Sequence, residues 1–214
     1  MTKSPLYAHI LLDRSGSMED CRDIAIDAFN EYVMGQRRSD DVDARLSLTI
    51  FDSASIDLLQ HVEPAKSFME LSRANYVPRA STPLLDAIGH VVAEMDKVAL
   101  RPGEKVALVI LTDGHENASK EHTKETIKKL LKDRQDNKGW LVTYLAAEVD
   151  AFEDAGAIGI GPGKIMALRK GKLRQSMQYA AASQHRYAKS GDLESGDFLD
   201  AELKDANTDD DKAN

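Results

Sequence analysis

Three short runs of the chain are apolar almost without a break: residues 6–12 (LYAHILL), 105–112 (KVALVILT) and 140–147 (WLVTYLAA). A strand with one face in water alternates apolar and polar residues, whereas a strand covered on both faces has no need to. These runs are strand-sized, well short of the roughly 20 apolar residues that cross a bilayer. They predict a parallel sheet buried between two layers of helices.

The segments between the runs carry helical spacing. Residues 18–34 place Cys21, Ile24, Ala25, Ala28, Phe29, Tyr32 and Val33 on one stripe, with Glu19 and Asp20 in the first turn, where the helix dipole favours negative charge. Residues 83–98 do the same with Leu84, Leu85, Ile88, Val91, Val92 and Met95, behind Thr82 as N-cap and Pro83 at the first helical position. A third helix is expected from a Ser119 cap to about Asn137, a short one from Asp150 to about Ala157, and a closing one over 172–188. One pair of strands breaks the alternation. Residues 44–51 and 55–61 are separated by only three residues, so they must be antiparallel neighbours. With a last short strand at 164–168, the expected fold is α/β: a doubly wound, mostly parallel sheet of about six strands with one antiparallel strand and helices on both faces.

The length of 214 residues fits one domain, expected over 1–188. Residues 189–214 hold nine of the 36 acidic and three of the 28 basic residues, so they carry three-quarters of the net charge of −8. Acidic and poor in apolar residues, they read as a disordered tail, with Phe198 and Leu199 as its sticky points. The remainder is nearly neutral, which removes any bulk-charge argument for nucleic acid or membrane binding. Between Asp154 and Asp192 every charge is basic (Lys164, Arg169, Lys170, Lys172, Arg174, Arg186, Lys189), yet no aromatic platform is interleaved. That stretch reads as a solvated or tail-facing surface, and nucleic-acid binding through it as a minor alternative. The lone Cys21 suits a reducing compartment, and the first residues lack the tripartite pattern of a signal peptide, so a cytoplasmic location is expected. His9, inside the first strand, reads as a packed core histidine. Gly159, Gly161 and Gly163 lack the spacing of a dinucleotide fingerprint.

In an open α/β sheet, ligands bind beyond the carboxyl ends of the strands where the strand order reverses. Two such ends carry an aspartate: Asp13 after the first run and Asp113 after the second. Asp13 opens the sequence Asp13-Arg14-Ser15-Gly16-Ser17, in which a carboxylate and two hydroxyls alternate within one tight turn. Asp and Ser are common turn and cap residues, but these are also the oxygen donors that a small hard cation takes. The long irregular segment 62–82, with a short helical turn expected near Phe68–Leu71, delivers Thr82 to the same end of the sheet.

A DxSxS turn after the first strand, a threonine on a later loop and an aspartate in a TDG turn after a central strand together resemble the von Willebrand factor type A domain and its metal-ion-dependent adhesion site. The likeness covers about residues 5–170, and its outline is most similar to bacterial and phage intracellular members. It implies that Ser15, Ser17 and Thr82 bind Mg²⁺, with Mn²⁺ or Ca²⁺ as substitutes, and that Asp13 and Asp113 coordinate directly or through water. It also implies a protein partner that completes the ion's coordination with an Asp or Glu, in an assembly such as one built around an ATPase. His115, Glu116 and Asn117 read equally as turn residues or as contacts to that partner. On this reading the chain is not an enzyme. The competing reading is a Mg²⁺-dependent phosphoryl hydrolase at the same site, which a phosphatase of the haloacid-dehalogenase type would support with a second Asp where this chain has Ser15.

Overall fold

The computed structural model describes residues 2–112, 116–146, 151–168 and 172–207. Six strands form one sheet in the order β3-β2-β1-β4-β5-β6, from β1 (Ser4–Asp13), β2 (Val42–Asp52), β3 (Ser55–Pro64), β4 (Lys105–Thr112), β5 (Leu141–Ala146) and β6 (Ile165–Ala167). All neighbours are parallel except β2 and β3. The antiparallel strand β3 lies at an edge, and its connection to β2 is only Ser53 and Ala54, too short for a parallel crossover.

The apolar runs are buried on both faces, and side-chain alternation divides the core in two. Leu6, Ala8, Ile10 and Leu12 of β1 face α1 (Arg22–Arg37) and α5 (Leu173–Ser190). Tyr7 and Leu11 face α2 (Leu84–Met95), α3 (Lys124–Lys138) and α4 (Ala151–Ala157). Helix ends follow backbone chemistry. Gly139 and Gly191 close α3 and α5 with φ of 65° and 76°, a left-handed turn that costs a residue without Cβ little.

Several boundaries differ from the sequence reading for identifiable reasons. The first helix is divided: a 3-10 run at Gly16–Cys21 precedes α1. Thr123, not Ser119, caps α3, its hydroxyl accepting from the Thr126 N–H, because Ser119 Oγ is already engaged by Glu116 and by the Asp86 N–H. Helix α2 starts at Leu84 with Pro83 in the cap position, so Thr82 does not cap it. β3 continues to Pro64 through a bulge at Val62 (φ 54°), whose N–H is taken up by Ser47 Oγ, and the 3-10 turn lies at Ala65–Ser67 rather than Phe68–Leu71.

The largest correction concerns the segment after residue 189. A turn at Glu194–Gly196 leads into α6 (Asp200–Ala206), and Phe198 is 5% exposed while Ala206 is fully buried. Phe198 and Ala206 join the core, with Leu193 and Leu203 packed against it, and the basic stretch and the acidic segment lie where their charges pair. Lys164 meets Asp197, Lys172 meets Asp205 and Arg186 forks onto Glu202. Arg169 and Lys170, and the acidic residues 209–211, lie outside the described residues.

His9 is fully buried, with Nε2 2.8 Å from Thr49 Oγ1 and Nδ1 3.1 Å from the Tyr7 hydroxyl. Burial pushes its pKa down from 6.5 to about 3, helped by His61 and His90. The unfolded chain therefore binds a proton that the folded chain refuses, and stability is lost as pH falls below 6.5 towards 3. Between pH 7 and pH 5 this one group should remove about 2 kcal/mol. His185, also pushed down by burial, acts in the same direction. Urea unfolding at the two pH values measures the loss, and His9→Gln should flatten it; a midpoint that does not move contradicts the buried neutral histidine. A second test addresses the C-terminal segment: Phe198→Ala should lower unfolding free energy by about 3 kcal/mol, as for a buried aromatic. An unchanged urea midpoint would mean the segment is not docked.

Candidate metal centre

The strand order reverses between β1 and β4, since β2 and β3 extend the sheet from β1 one way and β5 and β6 extend it from β4 the other. Asp13 is the last residue of β1 and Thr112 the last of β4, so both stand at the mouth of the crevice there. Asp13 is fully buried. Its Oδ1 accepts the Ser15 N–H at 2.7 Å and its Oδ2 accepts the Thr112 hydroxyl at 2.6 Å, while Tyr76 donates to its carbonyl at 2.5 Å. Ser15 is buried and Ser17 exposed, with their hydroxyl oxygens 3.0 Å apart. The turn therefore runs from a buried carboxylate to solvent through two adjacent hydroxyls.

The Thr82 arm is fastened to this turn by its backbone. The Arg79 N–H donates to Arg14 O at 2.8 Å, Gly16 N–H to Ala80 O at 2.9 Å and Ser53 N–H to Ser81 O at 2.9 Å. Gly16 eases the approach: a Cβ there would stand 3.3 Å from Ala80 O, a tight contact. Ala80 has φ 58°, a conformation that costs an L-residue about 1 kcal/mol and is held by these bonds. Thr82 itself is 2% exposed.

Beneath the arm lies an ionic cluster that sequence reading missed. Arg14, the unspecified second residue of the DxSxS turn, donates from Nε to Asp52 Oδ2 at 2.7 Å and from its Nη2 to Ser55 and Asp57, both at 2.9 Å. Arg79 Nε reaches the same Asp52 oxygen at 2.9 Å. Burial alone would raise the Asp52 pKa, but the Arg79 hydrogen bond, the Ala54 and Ser55 N–H groups and the Arg14 charge hold it below the usual carboxylate range. The signal was the strand register: Asp13 pairs with Phe51, which sets Arg14 beside Asp52 once β1 and β2 are known to be neighbours.

On the other side, residues 116–122 grip the start of α2. The Thr82 N–H donates to Asn117 Oδ1 at 2.9 Å, and the Asn117 N–H returns to Thr82 O at 3.1 Å. Asp113, the fifth residue that sequence reading assigned to the site, lies outside the described residues, as does His115.

Two of the predicted donors, Ser15 and Ser17, have a spacing that suits a hard divalent ion. Adjacent oxygens around octahedral Mg²⁺ stand about 2.9 Å apart, given Mg–O distances of about 2.0–2.1 Å. The Ser15 and Ser17 hydroxyls, hydrogen-bonded to each other at 3.0 Å, stand close to that spacing. Among the described residues no three His, Cys, Asp or Glu side chains group as metal ligands.

No protein-family model and no curated protein matches the chain. Solved structures do. A von Willebrand factor type A protein from Catenulispora acidiphila is 15% identical, with 86% of this chain and 43% of that one covered and a TM-score of 0.59. The vWF domain of the type V pili tip protein Mfa5 from Porphyromonas gingivalis is 9% identical over 86% of this chain and 96% of its own, with a TM-score of 0.63. Manganese-loaded TRAP protein from Plasmodium vivax is 14% identical, with 85% and 73% covered and a TM-score of 0.59. The chain thus spans less than half of the first of these and nearly all of the second. Among the described residues no helix is long and apolar enough to cross a membrane. At these identities the likeness speaks for architecture: the chain has the Rossmann-like fold of von Willebrand factor type A domains.

Proposed function

We propose that this chain is a metal-dependent protein-binding module, in which a divalent cation at the carboxyl edge of the sheet is completed by an acidic side chain of a partner. The observation that carries this reading is the Ser15–Ser17 hydroxyl pair, 3.0 Å apart, seated on the buried Asp13 carboxylate at the switch point. Ser15, Ser17 and Thr82 would hold the ion, with Asp13 and Asp113 coordinating directly or through water. The bound ion would supply a Lewis-acidic position open to an external oxygen ligand. Mg²⁺ is the expected occupant, with Mn²⁺ or Ca²⁺ as substitutes; the manganese in the TRAP neighbour supports a divalent ion in this fold.

The chain's own residues divide the work. Asp13 spends one oxygen on the Ser15 N–H and the other on Thr112, which fixes the first hydroxyl relative to the strand end. Three neutral hydroxyls and two carboxylates neutralise no more than the ion's own charge, so an outside Asp or Glu remains welcome. The hydrolytic alternative asks for a second carboxylate where this chain has Ser15. We therefore read the chain as a binder and not an enzyme. The lone Cys21 fits a cytoplasmic setting, and the family outline fits a bacterial or phage protein working within a larger assembly, with an ATPase as one such companion.

Two measurements test this. Excess Mg²⁺ at a hundred times its Kd stabilises by about 2.7 kcal/mol, which for a chain of this size raises Tm by roughly 5–10 °C. Chelator should reverse the rise, and superimposable melting curves would count against a metal site. In parallel pull-downs with Mg²⁺ and with chelator, partner capture should be lost in chelator and in Thr82→Val or Asp113→Ala. Full capture by those variants rejects the mechanism.

A further inference from the structure

Glu116 and Asn117 stand three and four residues beyond Asp113 in the sequence; Asn117 is exposed, yet its Oδ1 and backbone N–H are both engaged by Thr82, and Glu116 is half-buried with both carboxylate oxygens occupied. Glu116 Oε1 accepts the N–H groups of Ala118 at 2.9 Å and Ser119 at 2.7 Å. Its Oε2 accepts the Leu85 N–H at 2.9 Å and the Ser119 hydroxyl at 2.6 Å. An ionised carboxylate has about four lone-pair positions, and four donors occupy them. Glu116 therefore has nothing left for an ion or a partner. What it does is cap the first turn of α2 from a distant loop, satisfying the Leu85 N–H that Pro83, in the cap position, leaves without a side-chain acceptor. Asn117 exchanges two hydrogen bonds with the backbone of Thr82 itself. Further along, Asp86 accepts the N–H groups of Lys120, Glu121 and His122, and so ties down the distal half of the same loop.

We infer that Glu116 and Asn117 are positioning residues for Thr82: together they weld the Thr82 arm and the start of α2 to residues 116–119, so that the Thr82 hydroxyl is presented from a fixed backbone. The inference rests on the metal-binding reading above. For Glu116, whose four acceptor positions are filled, that part is not partner contact. A ligand hydroxyl that must be ordered at the moment of binding weakens affinity by the cost of ordering it, and an arm already bonded on both sides avoids that cost. Outer-sphere partners of this kind typically contribute about 10–100-fold to metal affinity.

The test is a Mn²⁺ titration of the full chain, with free Mn²⁺ followed by electron paramagnetic resonance, beside the Tm of each metal-free protein. Asn117→Ala and Glu116→Gln should each weaken Mn²⁺ binding about tenfold or more. Asp86→Asn, which loosens the distal loop, should lower Tm but change Mn²⁺ affinity less than about threefold, a contrast that outer-sphere positioning demands and a merely structural role does not. Binding within twofold of wild type by both Asn117→Ala and Glu116→Gln overturns the inference. So does an equal loss in Asp86→Asn, which would reduce the effect to general melting of the loop. If Glu116→Gln does not fold, Asn117→Ala decides, because it removes a single acceptor. Absence of Mn²⁺ binding by the wild-type chain is a separate outcome: it removes the metal reading itself and the inference with it.

Discussion

The parallel pairing of β1 between β2 and β4 is the constraint on which the rest depends. It places Asp13 level with Phe51 on one side and next to Thr112 on the other, at the point where strand order reverses. A carboxylate in that position is buried, and a buried carboxylate requires donors. Thr112 and the Ser15 N–H provide them, and in doing so they set the direction of the turn that presents Ser15 and Ser17. The hydroxyl pair at the crevice mouth thus follows from the satisfaction of a charge two residues earlier.

The same pairing carries a second cost. Arg14 is 7% exposed and Asp52 is 1% exposed, and taking both from water is offset only because Arg79, Ser55, Asp57 and backbone N–H groups complete their hydrogen bonds. Such clusters add little net stability compared with apolar packing, and their value lies in fixing geometry. Here Arg14 and Arg79 share one carboxylate, so the DxSxS turn and the Thr82 arm are bound to the same anchor at the end of β2. On the far side the arm meets Asn117. The DxSxS turn and the Thr82 arm are thus held from below by Asp52 and from the far side by Asn117.

Much of this was legible in the sequence. Strands free of polar alternation, the three-residue connection between residues 51 and 55, and aspartates following two apolar runs were enough for the sheet, its antiparallel edge and the position of the crevice. His9 was readable as a core residue because a single histidine in an apolar strand has no partner spacing for a ligand. What remained hidden was long-range pairing. Composition cannot show that Lys164, Lys172 and Arg186 find carboxylates on a segment that reads as disordered alone. Nor can it show that Ser119 is committed to Glu116 and so leaves the capping of α3 to Thr123. Local propensity was overridden wherever a side chain had a stronger partner distant in sequence.

The central claim is that Ser15, Ser17 and Thr82 share one divalent ion. Anomalous diffraction from crystals soaked in Mn²⁺ tests it most directly. The account predicts a single strong anomalous peak in the crevice between β1 and β4, within bonding distance of those three hydroxyl oxygens. A crevice without a peak at saturating Mn²⁺, or a peak bonded to other residues, would contradict it.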